Sequence, residues 1–258
     1  MSRVVDRTGV DDRRAQSHVV GVALLLGFTT LALAGVTASV GTTVDTATDA
    51  VTERRVADAL TEATRASGRS GPDDATVGLT DGHLAVVDRT VRVWNDTEEI
   101  VVDSDALVYR SEGVRVAAVA GAVVRGPPGA ARLHRSLGVG STASTLVVGV
   151  TTLDASDETS GHSWSFGTGA TTRPRPTTLD IATDVTHDAR RHPPGEWTVA
   201  VETATPAPFE RFFEARGATV RRRDLDGDGV DSVVAAFASS RRLVVVVHRL
   251  GLEVTVGV

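Results

Sequence analysis

The chain of 258 residues contains no cysteine, which excludes disulfide bonds, thiolate metal sites and cysteine nucleophiles. It also contains no lysine, because all 27 basic side chains are arginine. With 33 acidic side chains the net charge is −6, so we expect no nucleic-acid partner. Methionine occurs only once, which excludes a methionine-rich binding groove.

The overall composition is that of a folded protein. Hydrophobic residues make up 41% of the chain and charged residues 23%, which excludes wholesale disorder. The acidic, lysine-free bias suits concentrated salt, where ions screen the repulsion between carboxylates. A GC-rich genome would favour the same residues, so both explanations stay open. The profile resembles that of halophilic archaea.

A long apolar segment lies near the N-terminus. From Gln16 to Val44 no side chain carries a formal charge, except His18 when it is protonated. As a helix these 29 residues would extend roughly 43 Å, more than the ~30 Å of hydrocarbon in a bilayer. The segment therefore predicts a transmembrane helix from Val19 to Val44. It is too long for the apolar region of a secretory signal.

The flanks of this segment predict its orientation. Arg13 and Arg14 precede it, whereas Asp45 and Asp49 follow it. Because basic flanks stay on the cytoplasmic side, we expect a cytoplasmic N-terminus and an extracellular remainder.

A basic residue, a small residue and a polar pair, Arg14-Ala15-Gln16-Ser17, stand directly before the apolar segment. This junction resembles the class III signal peptide of archaeal type IV pilins and archaellins. The resemblance implies that a prepilin-peptidase-like enzyme cuts between Ala15 and Gln16 and leaves the apolar segment at the new N-terminus. The alternative is an uncleaved signal anchor.

The helix is expected to continue beyond the membrane. Residues 45–66 contain neither glycine nor proline, and Val56, Leu60 and Ala63 recur at helical spacing. Ser67–Pro72 then supplies residues that end a helix. The predicted organisation has three segments, which are a signal segment (1–15), a transmembrane and amphipathic helix (16–67) and an extracellular head (68–258).

The head has the pattern of a β-rich domain. Asp81-Gly82 predicts a hairpin, and Asn95-Asp96 and Glu112-Gly113 predict two further turns. Val114–Val124 predicts one strand, whereas residues 154–176 predict a long exposed loop. The other strands predicted in this part are Thr90–Trp94, Ile100–Asp103, Ala106–Arg110 and Leu146–Leu153.

The last third combines one helix with strands. Phe209–Arg216 follows two prolines and precedes Gly217, which predicts a short helix. The predicted strands here are Trp197–Thr203, Thr219–Arg223, Ser232–Phe237, Leu243–His248 and Leu252–Val256. The sequence thus predicts an α+β fold, with a long N-terminal transmembrane-then-amphipathic helix followed by a β-rich extracellular head with one short helix.

One acidic motif has the spacing of a calcium loop. Asp224, Asp226 and Asp228 alternate along the chain, and the glycine after Asp228 permits a sharp turn. The glutamate that closes an EF-hand is absent, because its position holds Ala235. Asp231 or Ser232 would close a shorter loop. The alternative is an ordinary acidic turn, and no other cofactor is predicted.

Two other features have the residue types of a modification or binding site. Asn95-Asp96-Thr97 is an N-glycosylation sequon at a predicted turn, so Asn95 is a candidate acceptor. His187, Arg190, Arg191 and His192 cluster before a proline pair, and we interpret them as a solvated loop. The sequence contains neither G-x-S-x-G nor H-E-x-x-H, and it has no glycine-rich phosphate loop, so we expect no enzymatic activity.

Together these features predict a prepilin-like cell-surface protein that is a subunit, and more specifically a minor subunit, of an archaeal type IV pilus-like filament. Its expected partners are the membrane, the processing enzyme and other pilin-like subunits. One alternative is a membrane-anchored surface binding protein that does not polymerise. An anchored extracellular hydrolase is the less favoured alternative.

The processing site gives the first testable prediction. We expect the mature surface protein to begin at Gln16, and we expect replacement of Arg14 and Ala15 by glutamate to block this cleavage. Mass spectrometry of the N-terminal peptide measures both. Recovery of residues 1–15 on the mature wild-type protein would contradict the prediction.

Overall fold

The computed structural model describes residues 48–65, 71–79, 82–155, 163–166 and 177–257, and it describes side-chain surroundings for 48–65, 82–153 and 185–251. The chain divides into two compact units, Met1–Asp49 and Ala50–Val258, and nearly all described residues belong to the second.

Among the described residues, no helix has both the length and the apolar character needed to cross a bilayer.

The second unit is built from three sheets. Sheet A has the order β1 (Gly71–Leu79), β12 (Thr177–Gly195), β16 (Arg241–Gly257), β10 (Thr145–Ala155) and β9 (Gly138–Ser141). Sheet B has the order β11 (Ser163–Phe166), β2 (Gly82–Val87), β5 (Ala106–Ser111), β6 (Val114–Val119), β7 (Ala122–Arg125) and β8 (Arg132–Arg135). Sheet C has the order β14 (Thr219–Arg223), β15 (Ser232–Ala236), β13 (Thr198–Glu202), β3 (Thr90–Trp94) and β4 (Glu99–Asp103). Of the described pairings, only that of β10 with β16 is parallel.

The central strands β5, β6 and β7 of sheet B are buried on both faces, which explains their nearly continuous apolar sequences. On β5, Ala106 and Val108 face a core shared with sheets A and C and with helix α2 (Pro206–Glu214). Leu107 and Tyr109 face the other way, into a second core. Burial on both sides leaves no polar face, so these strands lack the usual alternation of apolar and polar residues.

Helix α1 (residues 48–63) closes the second core. Val56, Ala57, Leu60 and Ala63 are each at most 2% exposed and pack into that core, whereas Val51 on the outer side is 60% exposed. The predicted helical spacing over this stretch is therefore confirmed. The helix forms one wall of the β-rich unit.

Arg135 on β8 anchors the C-terminal end of α1 to sheet B. Its guanidinium donates to the backbone oxygens of Thr61 (2.7 Å) and Thr64 (3.0 Å), to the Thr64 hydroxyl (2.8 Å) and to the Gly121 oxygen (2.8 Å). These carbonyls include groups that a helix end leaves without partners. Burial lowers the pKa of Arg135 to about 10. Next to it, His134 pairs with Asp58 at 2.8 Å.

The predicted α+β class is wrong. The structure is a β-rich domain: most of its described residues lie in strands, and its described part contains two helices. The reason is physical: α1 and α2 each cover an apolar surface that the sheets would otherwise expose, and sheet pairing supplies the framework. Residues 1–47, where most of the predicted N-terminal helix falls, lie outside the described residues.

Two predictions of local strand pairing are also wrong. Asp81-Gly82 does not connect a hairpin, because β1 pairs with β12 whereas β2 pairs with β5 and β11. Val114–Val124 is not one strand either. A turn at Ala120-Gly121, with φ of 52° and 92°, separates β6 from β7 and folds them into a hairpin.

Two predicted loops contain strands. Residues 163–166, inside the predicted loop 154–176, form β11 against β2. The cluster from His187 to His192 lies in β12, because β12 pairs along almost its whole length with β16. For the same reason the two strands predicted between Leu243 and Val256 are one continuous strand.

The other described turns and the short helix follow the sequence. Asn95-Asp96 and Glu112-Gly113 connect the hairpins β3–β4 and β5–β6. Helix α2 begins at Pro206, three residues earlier than predicted, and Gly217 follows it with a φ of 77°. Phe209, Phe212 and Phe213 on its inner face are buried in the first core.

The Arg135 contacts predict a measurable coupling between α1 and the sheets. We expect Arg135→Met to lower the free energy of unfolding by about 2–3 kcal/mol, because methionine keeps apolar contact but leaves helix carbonyls unsatisfied. Chemical denaturation measures the change, and hydrogen exchange should show residues 48–63 losing protection first. Arg132→Met, at an exposed position on the same strand, is the matched control. Equal stability of the two variants would contradict the prediction.

Candidate functional site

A groove of about 770 Å³ runs along strand β4. One wall is β4 itself, which forms an edge of sheet C. The opposite side is the inner face of sheet A, where Val245 and Val247 supply apolar surface. Val101 on β4 is 49% exposed at the rim. Because β4 pairs only with β3 within the described part of the chain, the backbone along its other side borders this groove.

Carboxylates outnumber guanidinium groups in the groove lining. Two arginines, Arg190 and Arg249, stand against five acidic residues. The acidic residues are Glu98, Glu99, Asp103, Asp105 and Asp188. The surplus of negative charge makes the groove suited to a ligand that is basic or that donates hydrogen bonds from backbone N–H groups.

Several of these charges are already paired. Glu98 contacts His192 at 3.0 Å and Asp188 contacts Arg190 at 3.1 Å, while Glu99 lies 3.6 Å from Arg92. Within the described part of the chain Asp103 makes no ion pair, so its carboxylate lines the groove with its charge uncompensated.

The acidic motif forms a compact loop between β14 and β15. The ligand atoms of Asp224, Asp226 and Asp228 lie within 4.8 Å of one another, and all three side chains are exposed. Asp231, which the sequence added as a fourth ligand, does not belong to this group. Among the described residues the structure thus brings together three of the four predicted calcium ligands.

Backbone N–H groups hold this loop in shape. The Asp224 carboxylate accepts hydrogen bonds from Gly227 (2.8 Å) and Gly229 (3.1 Å), and these bonds lower the pKa of Asp224. Both glycines have positive φ, a conformation that other residues rarely adopt. Arg92 reaches Asp226 from β3 at 3.5 Å. A bound cation would therefore compete with a guanidinium for Asp226.

The paired histidines of β12 and β16 form a second polar feature. His187 and His248 face each other across the two strands, and their Nδ1 atoms are 2.7 Å apart. Burial, and then the neighbouring His187, lower the pKa of His248. This favours the neutral form of His248, so that one ring nitrogen donates and the other accepts.

Asn95 has a structural part in the β3–β4 turn. Its side-chain oxygen accepts hydrogen bonds from the Thr97 N–H and hydroxyl and from the Glu98 N–H, each at 2.9 Å. Its amide nitrogen lies 2.8 Å from the position that a Cβ on Gly195 would occupy. Glycosylation of Asn95 stays a prediction. A sugar attached to the amide nitrogen would have to extend away from Gly195.

The predicted processing and membrane residues Ala15, Gln16, Val19 and Val44 lie outside the described residues.

Sequence reasoning missed two functional features. It predicted a strand at Ile100–Asp103 but gave no sign that this strand forms an open edge, because edge position depends on distant pairing. It also passed over Arg135, whose helix contacts lie more than seventy residues away along the chain. The only available signal was the polar stretch Arg132–Arg135 between two apolar regions.

The fold and site together define a β-rich domain of three sheets with an acidic edge groove. The chain belongs to a family of unknown function, DUF7289, whose family model matches residues 14–253. The match thus includes both the apolar segment and the β-rich unit. No curated protein and no solved structure matches the chain.

The acidic loop gives a metal-binding prediction. We expect calcium to bind with a dissociation constant on the order of 10⁻⁴–10⁻³ M, as in weak extracellular sites. Calorimetry on the full chain in detergent measures it. Asp226→Asn with Asp228→Asn should abolish the binding heat. Asp231→Asn, outside the cluster, should leave it nearly unchanged. Absence of calcium heat in the wild type would contradict the prediction.

Proposed function

We propose that the protein is a cell-surface subunit, more specifically a minor one, of an archaeal type IV pilus-like filament. The apolar segment holds it in the membrane with the N-terminus cytoplasmic, and the β-rich unit faces the outside. Its role is assembly and display, without catalysis. The proposal combines the resemblance of residues 10–45 to archaeal pilin precursors with the form of the described unit.

The observation that carries the proposal is the firm attachment of α1 to sheet B. The described helix begins only four residues after Val44, the end of the apolar segment. Its inner face is fully buried, and Arg135 fastens its C-terminal end. The buried inner face of α1 and the Arg135 contacts make this helix an integral part of the β-rich unit, as we expect of an assembling subunit.

The outer side of α1 supports a contact role for this region. Val51 is exposed beside Arg54, Arg55 and Arg125, and these residues line a depression of about 510 Å³. Exposed valine among arginines is suited to a partner with mixed apolar and acidic surface.

A membrane-anchored binding protein that does not polymerise is the alternative function. The acidic groove along β4 favours it, because a groove of that size would also accept a ligand from outside the cell. Location distinguishes the two. A filament subunit is released with sheared filaments, whereas a solitary anchored protein stays with the membrane.

The test is to shear cells, sediment the released filaments and probe for this chain. We expect a filament-associated pool in the wild type. Gly35→Leu should remove this pool without preventing membrane insertion, because leucine is at least as apolar but blocks close approach of neighbouring segments.

Val36→Leu is the matched control, since it adds only one methylene at a position that is already large. It should leave the filament pool close to the wild-type level. If the wild-type chain stays wholly in the membrane fraction, the subunit function is wrong and the anchored binding protein replaces it.

A further inference from the structure

Sheet C has two open edges of opposite charge within the described part of the chain. One edge is β4, with Glu99 and Asp103. The other is β14, whose sequence Thr-Val-Arg-Arg-Arg ends in three arginines. Both strands are five residues long. Open edges are templates for pairing with another chain, and charged side chains on them decide which chains are accepted.

Except for Arg222, which shares the inner face with Val220 and pairs with Glu210 on α2, the charged side chains of the two edges lie on the same face of the sheet. Strand registers place Arg221, Val234, Ala200, Arg92 and Val101 side by side in one row across all five strands. Directly opposed residues in antiparallel strands share a face, and so do residues two apart. Arg221 and Arg223 therefore point to the same side as Val101 and Asp103.

The inner face of the two edges is apolar in the corresponding row. Val220 on β14 and Ile100 on β4 occupy the two ends of a row that also contains Ala235, Val199 and Val93. Both end residues are partly buried and pack against the first core. Two copies joined edge to edge would bring such residues together and would extend the core across the junction.

Strand direction fixes how two copies would meet. Neighbouring strands in sheet C are all antiparallel, so β14, β13 and β4 run in the same direction. A second copy placed beside the first without turning its sheet over therefore presents β14 parallel to β4. In the register that continues each row, Arg223 of one copy lies beside Asp103 of the other, and Arg221 lies beside Val101.

Charge excludes the two symmetric alternatives. Pairing β14 with β14 would oppose arginines, and pairing β4 with β4 would oppose carboxylates. Only the unlike pair is attractive. Among the described residues, Arg221, Arg223 and Asp103 make no ion pair. The groove beside β4 supplies space for an incoming strand, with Val245 and Val247 across from it.

We propose that β14 of one copy adds to β4 of the next as a parallel strand, so that the β-rich units associate head to tail. Such a contact uses two different surfaces, leaves one of each free and can propagate from copy to copy. It rests on the proposed function, because a five-residue strand pair is small and needs neighbours brought close by their apolar segments.

The absence of cysteine allows a direct test. A full-length chain with Val101→Cys and a second with Arg221→Cys are produced together and oxidised gently in intact cells. Neighbouring strands bring these two positions within the Cα separation that a disulfide requires. We expect a disulfide-linked dimer between the two variants. Val101→Cys alone should give none, and Val147→Cys with Arg221→Cys should also give none. Val147 is 37% exposed but lies on sheet A.

Charge reversal tests the specificity of the contact. Adding Asp103→Arg to the Val101→Cys chain should reduce the dimer yield roughly five-fold, because it opposes an arginine to Arg223. Adding Arg223→Asp to the other chain should then restore it. Circular dichroism of each purified chain checks that the variants fold, and both cysteine positions are exposed in the wild type.

The outcomes separate this contact from the proposed function. The disulfide is measured in whichever fraction holds the chain, sheared filaments or membranes. If filaments contain the chain but the Val101→Cys and Arg221→Cys chains form no disulfide-linked dimer, the proposed contact is wrong and the subunit function still stands. A dimer found only in membranes supports the contact while the subunit function fails. Dimers of Val101→Cys with itself, or its linkage to another protein in place of this chain, overturn the proposal.

Discussion

The described unit depends on the burial of the central strands of sheet B on both faces. Residues of β5 and β6 alternate between two cores, and neither core is complete without elements from elsewhere in the chain. Helix α1 covers one face together with Leu153, Val185 and Leu250 of sheet A, and sheets A and C with α2 cover the other. A sheet with two apolar faces cannot meet water, so α1 is required for the fold. Arg135 fixes the position of α1 on this sheet, because its guanidinium donates hydrogen bonds both to the end of the helix and to the Gly121 turn.

The same arrangement links the fold to the proposed function. Because α1 follows the apolar segment closely and is built into the core, the orientation of α1 fixes that of the sheets. Sheet C packs into the first core, whereas α1 packs into the second core on the other face of sheet B. The edges β4 and β14 of sheet C stay open in the described structure. The unit thus has α1 packed into its second core and two open sheet edges among its described residues. The acidic loop lies over the outer face of sheet C, where Asp226 meets Arg92.

Local patterns predicted much of the described fold. Valine-rich runs marked most strands, Asn95-Asp96 and Glu112-Gly113 marked hairpins, and two prolines with Gly217 marked α2. The errors share a cause. Asp81-Gly82 has hairpin chemistry but connects strands of different sheets, and Ala120-Gly121 turns inside a run of small apolar residues that has no polar break. The polar stretch around His187 became a strand because β16 supplied its hydrogen-bond partners. Of the candidate site, the three grouped aspartates followed from spacing alone, whereas the groove along β4 did not.

The sequence by itself determined the apolar segment, the acidic lysine-free surface, the aspartate spacing and the positions of most strands, because each depends on residues close together in the chain. Tertiary structure alone decided the order of strands in the three sheets, the open edges of sheet C, the place of α1 in the second core and the contact between His187 and His248. These features depend on pairing between residues tens to more than a hundred positions apart. One local pattern is compatible with many such pairings, and only the combined burial of two cores selects among them.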